Sequence, residues 1–193
     1  MKIHDFILYW QNIAELSFCS ASSLKILIEF YVNLSFEAVT QSEYIERATG
    51  DWKKSSISKN FNKLAENHAL LKFVDKNNMS IKYIVNPDLL INTSSKEELD
   101  IKINEDEFAE LWSFIVEIPL SSNELRILIE LILHGETSIS ELSRRKGWKI
   151  SGISKSMKSL FNRGLVDCNV KETYRVFSLN RQELEKKIGR KEK

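Results

Sequence analysis

Trp52-Lys53-Lys54-Ser55-Ser56-Ile57-Ser58-Lys59-Asn60-Phe61-Asn62-Lys63-Leu64 returns later in the chain, without a gap, as Trp148-Lys149-Ile150-Ser151-Gly152-Ile153-Ser154-Lys155-Ser156-Met157-Lys158-Ser159-Leu160. The shared pattern is W-K-x-S-x-I-S-K-x-x-x-x-L. Ile57, Phe61 and Leu64, like Ile153, Met157 and Leu160, fall at i, i+4 and i+7, which is one apolar stripe on a helix. The remaining positions are small, polar or basic. Each copy therefore reads as a helix with one face on a core and one face in water.

Outward from this block the match continues in order. Leu24-Lys25-Ile26-Leu27-Ile28-Glu29-Phe30 pairs with Leu125-Arg126-Ile127-Leu128-Ile129-Glu130-Leu131. Phe6, Trp10 and Ile13 pair with Phe108, Trp112 and Ile115, and Val85-Asn86 with Leu179-Asn180. Blocks that recur in one order imply an internal duplication, and a repeat of this length is a whole domain. The expected organisation is a first domain over 1–92, a linker over 93–104 around the polar Asn92–Glu98 stretch, and a second domain over 105–193.

Each half reads as four helices and a β-hairpin. Helix one is expected over Asp5–Phe18 and Glu107–Ile118, with Pro119 closing the second copy. Helix two opens at Ser22-Ser23 and at Ser121-Ser122, with Ser121-Ser122-Asn123-Glu124 patterned as a capping box. Its LKILIEFYV and LRILIELIL segments are apolar nearly all round, as a central buried helix must be. Helix three is expected over Gln41–Thr49 and Ser138–Lys146, with Gly50 or Gly147 in the turn that follows. Helix four ends at Arg163-Gly164 in the second copy and at Asn67-His68 in the first. Alternation of Met79, Ile81, Tyr83 and Val85 predicts a strand after an Asn77-Asn78 turn. Val166, Cys168 and Val170, then Tyr174–Leu179 beyond Lys171-Glu172-Thr173, predict the second hairpin. The fold class is mainly α with small β-hairpin wings, in two tandem winged helix-turn-helix domains.

Bulk properties narrow the function. No apolar run reaches the roughly 20 residues of a membrane span, and the N-terminus lacks the pattern of a secretory signal. A soluble, cytoplasmic protein is expected. Cys19 and Cys168 have no metal-ligand spacing and read as small core residues. His4, His68 and His134 share no spacing, and no glycine-rich phosphate loop or nucleophile motif appears. No cofactor, no metal and no enzymatic activity are expected.

Net charge is only +1, so the distribution of charge matters more than the total. From Glu141 to Arg163 seven basic residues oppose one acid, a local +6; from Asp51 to Lys63 four oppose one, a local +3. A helix in a major groove needs short polar residues, with lysine or arginine to reach phosphates. Lys53, Ser55, Ser56, Lys59, Asn60 and Lys63 fit that description in the first copy. Arg144, Arg145, Lys149, Ser151, Ser154, Lys155 and Lys158 fit it in the second, with Lys171 on the hairpin. Gly152, Ser156 and Ser159 are also read as outward-facing. Trp52 and Trp148 read as residues packing the turn on the core. Trp10 and Trp112 suit a core or the interface of a homodimer built through the first helices.

Gly147-Trp148-Lys149-Ile150-Ser151-Gly152-Ile153-Ser154-Lys155 resembles the turn and recognition helix of bacterial and phage helix-turn-helix proteins. It has their glycine in the turn, the apolar residue after it and a buried isoleucine six positions beyond. The first copy departs by one extra residue between Gly50 and Ile57. The whole layout resembles winged-helix transcription regulators, and the tandem arrangement resembles plasmid replication initiators. Tyr83-Ile84-Val85-Asn86-Pro87 is similar to the wing exit of some small plasmid replication proteins. The resemblance implies a sequence-specific, double-stranded-DNA-binding regulator, or alternatively a plasmid or phage initiator binding origin repeats. Tandem winged helices also serve as interaction subunits of chromosome-organising complexes, a role that requires no basic face.

Overall fold

A computed structural model describes residues 3–90, 103–171 and 173–189. The chain divides into two compact units, Met1–Lys96 and Glu97–Lys193. The expected linker over 93–104 falls almost wholly outside the described residues. The fold is mainly helical with two small antiparallel hairpins, and no helix among the described residues is long and apolar enough to cross a membrane.

In the first unit, α1 (Ile3–Ala14), α2 (Ala21–Val32), α3 (Gln41–Arg47) and α4 (Lys54–Glu66) precede β1 (Leu70–Val74), β2 (Ile81–Val85) and a short 3₁₀ turn, Pro87–Leu90. In the second, α5 (Glu105–Ile115), α6 (Ser122–His134), α7 (Ile139–Lys146) and α8 (Ile150–Asn162) precede β3 (Val166–Lys171), β4 (Tyr174–Leu179) and α9 (Arg181–Gly189). The order of elements is the same through the hairpin.

The central helices are buried as their composition requires. Leu24, Ile26, Leu27, Ile28 and Phe30 of α2, and Leu125, Ile127, Leu128, Ile129 and Leu131 of α6, are all within 1% of complete burial. Each such side chain contributes roughly 1.5–3 kcal/mol of transfer free energy. Around α2 pack Phe6, Trp10 and Ile13 of α1 and Ile57, Phe61 and Leu64 of α4, each 0% exposed. Trp112 is equally buried in the second unit. The two tryptophans expected at a core or a dimer interface are thus core residues.

Several helix limits differ from expectation. The cap of α2 is Ser20, whose hydroxyl accepts the Ser23 N–H at 3.1 Å, rather than Ser22 or Ser23. The Ser121–Glu124 capping box is present, and a second one, Thr40 with Glu43, starts α3. Helix α1 ends at Ala14 instead of Phe18, α5 at Ile115 instead of Ile118, and α3 at Arg47 instead of Thr49. Gly147 takes the left-handed conformation at φ 67° and closes α7. Gly164, φ 71°, does the same after α8, and His68 occupies the matching place after α4 at φ 57°.

Each hairpin is joined by a third extended segment. Val39, between α2 and α3, exchanges two backbone hydrogen bonds with Tyr83 of β2; Thr137, between α6 and α7, exchanges two with Phe177 of β4. Both donor–acceptor pairs lie at 2.8–2.9 Å. The first hairpin turn is longer than expected, because Asp75 N–H bonds to Ser80 O and encloses Asn77-Asn78. Met79 is a turn residue at φ 57° and 76% exposed, not the first residue of a strand. After the hairpins, Leu184 of α9 is fully buried, and Asn180 Oδ1 caps α9 by accepting the Glu183 N–H at 3.0 Å.

Candidate nucleic-acid interface

In each unit two helices meet across a short connection, residues 48–53 between α3 and α4 and residues 147–149 between α7 and α8. A buried glutamate of the central helix holds that junction. Glu130, 0% exposed, receives Lys146 Nζ at 2.9 Å, with Arg145 Nη2 and His134 Nε2 each at 3.7 Å. At the matching place Glu29, also 0% exposed, accepts the Thr49 N–H at 3.1 Å and the Asn33 side-chain amide. Trp52 supports the turn as expected: its Nε1 donates to Thr49 O at 2.8 Å and its ring stands edge-on to Tyr44. Ser143 Oγ donates to Trp148 O at 2.8 Å.

The second helix of each pair divides the expected contact residues into two groups. On α8, Ser151, Ser154, Lys155 and Lys158 are exposed. Their spacing of three and four residues places them on one helix face. Lys149 precedes them as the exposed N-terminal cap residue, and Arg144 of α7 is exposed as well. None of these six side chains forms a hydrogen bond or ion pair among the described residues. On α4, Lys53, Ser55 and Lys59 are exposed in the same way, together with Lys54.

Five expected contact residues are committed elsewhere. Asn60 points to the start of α2, where its Oδ1 accepts the Ser23 hydroxyl at 2.8 Å while its amide donates to Ser56 O. Ser56 is accordingly half-buried beneath Asn60. Lys63 Nζ donates to Phe18 O at 2.7 Å and ties α4 to the α1–α2 connection. Arg145 faces Glu130. Lys171 is ion-paired with Glu136, whose carboxylate raises the lysine pKa. Ser156 is 8% exposed and Ser159 donates to Glu124 Oε1 at 2.6 Å, so neither faces outward.

These pairings change the charge reckoning. Of the seven cations between Glu141 and Arg163, Arg145 and Lys146 face Glu130 and Arg163 faces Glu124 at 3.6 Å. Arg144, Lys149, Lys155 and Lys158 remain. In the first unit Lys53, Lys54 and Lys59 remain. The twofold excess of charge in the second unit, read from the sequence, shrinks to four cations against three.

The hairpins separate the units more sharply. The second hairpin contributes to an open cleft of about 500 Å³ lined by Ser138, Ser140, Arg144, Tyr174 and Arg175 among others. Sequence reasoning missed Tyr174, Arg175 and Ser140, because only the bridge between Thr137 and Phe177 carries the start of α7 to β4. The first hairpin instead exposes Leu71, Phe73, Val74, Met79 and Ile81 at 40–76%.

No protein-family model matches the chain, and no curated protein matches it. The functional reading therefore rests on these side chains and their chemistry.

Proposed function

We propose that the chain is a sequence-specific regulator that binds double-stranded DNA through two winged-helix modules descended from one by duplication. The second module is its principal reader. The observation that carries this reading is the exposed stripe Ser151–Ser154–Lys155–Lys158 on α8, flanked by Lys149 and Arg144. Hydroxyls of this size suit base edges in a major groove, and the cations suit the phosphates on either side. The cleft that Arg144 lines adds one more guanidinium group, Arg175, beside the hairpin, and guanidinium groups favour phosphate oxygens. On this reading the protein acts in the cytoplasm, as a resident of the compartment that holds bacterial or phage DNA.

The first unit supports a second role. Its α4 surface keeps three lysines, yet its hairpin exposes Leu71, Phe73, Val74 and Ile81 on the strands and Met79 in the turn, where the second exposes Val170, Tyr174 and Arg175. Exposed apolar clusters of this kind mark protein contacts more often than DNA contacts. We assign the first module an auxiliary part in DNA binding combined with a protein contact.

Electrophoretic mobility shift on random duplex pools, repeated across salt concentrations, tests the reading. Binding through four to six phosphate contacts gives a log K against log salt slope of about −4 to −5. Absence of retardation at low salt overturns it.

A further inference from the structure

The exposed stripe of α8 begins with a residue that does not match its polar neighbours. Ile150 is the first residue of the helix, 59% exposed, and set directly between Lys149 and Ser151. It lies four residues before Ser154 and eight before Lys158, on the same helical face and within about 12 Å along the axis. Ile150 is outside the core that Ile153, Met157 and Leu160 form. A β-branched residue is also a poorer choice for an exposed helix position than lysine or glutamate. The matching position in the first unit, Lys54, is polar.

We infer that Ile150 is a specificity-determining contact of the second module, packing on the 5-methyl group of a thymine in the major groove. This inference rests on the DNA-binding reading and adds to it a base preference. The major groove displays one apolar group, the thymine methyl, and an aliphatic side chain among hydroxyls and ammonium groups distinguishes that group from the bare C5–H of cytosine. Base edges are contacted from the N-terminal part of such a helix, where Ile150 stands.

The test uses the full chain. Duplexes are first selected from a random pool with the wild-type protein. Each thymine in a selected duplex is then replaced singly by deoxyuridine, which removes the methyl and preserves base pairing. At one thymine the wild type is expected to lose about threefold to tenfold in affinity, the worth of a methyl group taken out of water. Ile150→Ala is expected to lose a similar factor on the thymine duplex and to bind thymine and deoxyuridine equally there. Its thermal unfolding is expected to match the wild type, since the residue is exposed. A wild type indifferent to every substitution, or an Ile150→Ala variant that discriminates as strongly as the wild type, overturns the inference and leaves DNA binding standing. Failure to select or retard any duplex overturns both.

Discussion

Lys146 Nζ lies 2.9 Å from Glu130 Oε1, and the carboxylate it meets is fully buried beneath the α7–α8 junction. Arg145 and His134 approach the same group. Glu29 holds the corresponding junction of the first unit with an amide side chain and a backbone N–H. Removing one partner of a buried ion pair strands charge in a medium that solvates it poorly, at about 3–5 kcal/mol. Glu130→Gln is therefore expected to destabilise the second unit, because glutamine no longer neutralises Lys146. Urea unfolding of the variant and the wild type checks this. Unchanged stability means that the charge at this place contributes nothing beyond its hydrogen bonds.

The same pairing separates cations that stabilise the fold from cations available to a ligand. Each phosphate contact removed lowers the salt slope of DNA binding by about 1. Lys155→Ala and Lys158→Ala are each expected to show that change. Lys63→Ala is expected to leave the slope intact and to reduce stability, because its ammonium is bound to Phe18 O. A salt slope that falls with Lys63→Ala but not with Lys155→Ala would place the contact surface elsewhere.

How much of this is legible in the sequence depends on which residues carry the signal. The helix-four stripe is legible because Ile57, Phe61 and Leu64 repeat as Ile153, Met157 and Leu160. Asn60 and Ser156 mislead because their polarity outweighs their spacing. They occupy the i+3 place of an i, i+3, i+4, i+7 stripe and so belong to its inner edge. Lys63, Arg145 and Lys146 mislead because their partners lie on other elements; a local charge count cannot include Glu130, which reaches the junction only through the packing of α6. The third strand segments escape notice because a single paired residue, Val39 or Thr137, leaves no alternation to read. Helix α9, beyond the second hairpin, is hidden by a charged composition typical of a frayed end, with Leu184 as its lone buried anchor among the described residues.

His68 and Gly164 close α4 and α8 in the same way. Ala69 N–H bonds to Leu64 O at 2.8 Å and Leu165 N–H to Leu160 O at 3.0 Å, with the preceding residue left-handed in both. That conformation costs a residue with a Cβ about 1–2 kcal/mol. His68→Gly should recover about 1 kcal/mol of this, after the greater chain entropy of glycine. Gly164→Ala should lose at least as much, since its Cβ would also stand 3.3 Å from Glu183 Cγ. Thermal melts of the two variants should move in opposite directions, and a shift of both in one direction refutes the shared capping role.

Acid should weaken the second unit through Glu124. Burial pushes this carboxyl up, but the Ser159 hydroxyl, the Ser121 amide and hydroxyl and Arg163 outweigh it, and the pKa falls below the ordinary value of 4.5. A carboxyl lowered in the folded state contributes stability above its unfolded pKa, and that contribution disappears as pH falls through the folded one. Stability should therefore decline below about pH 4.5, and Glu124→Gln should show a shallower decline over that range, read by circular dichroism during urea unfolding at each pH. Identical pH profiles for the variant and the wild type would mean that Glu124 does not couple folding to protonation.

Gly152 tests the proposed interface without touching a charge. It lies in the first turn of α8, at an ordinary helical φ, and a methyl carbon added at its Cα would meet nothing within 4 Å. Glycine inside a helix is less stable than alanine by roughly 0.5–1 kcal/mol, and nothing inside the unit requires it. Gly152→Ala should thus raise the unfolding midpoint. If DNA approaches α8 closely on the side of Gly152, about 200° round the helix from Ile150, the added methyl meets the ligand instead, and affinity for the selected duplex falls several-fold while stability rises. The two readouts oppose one another only if the backbone at Gly152 faces the ligand. A variant that is more stable and binds equally well would move the contact further along α8, towards Lys155 and Lys158.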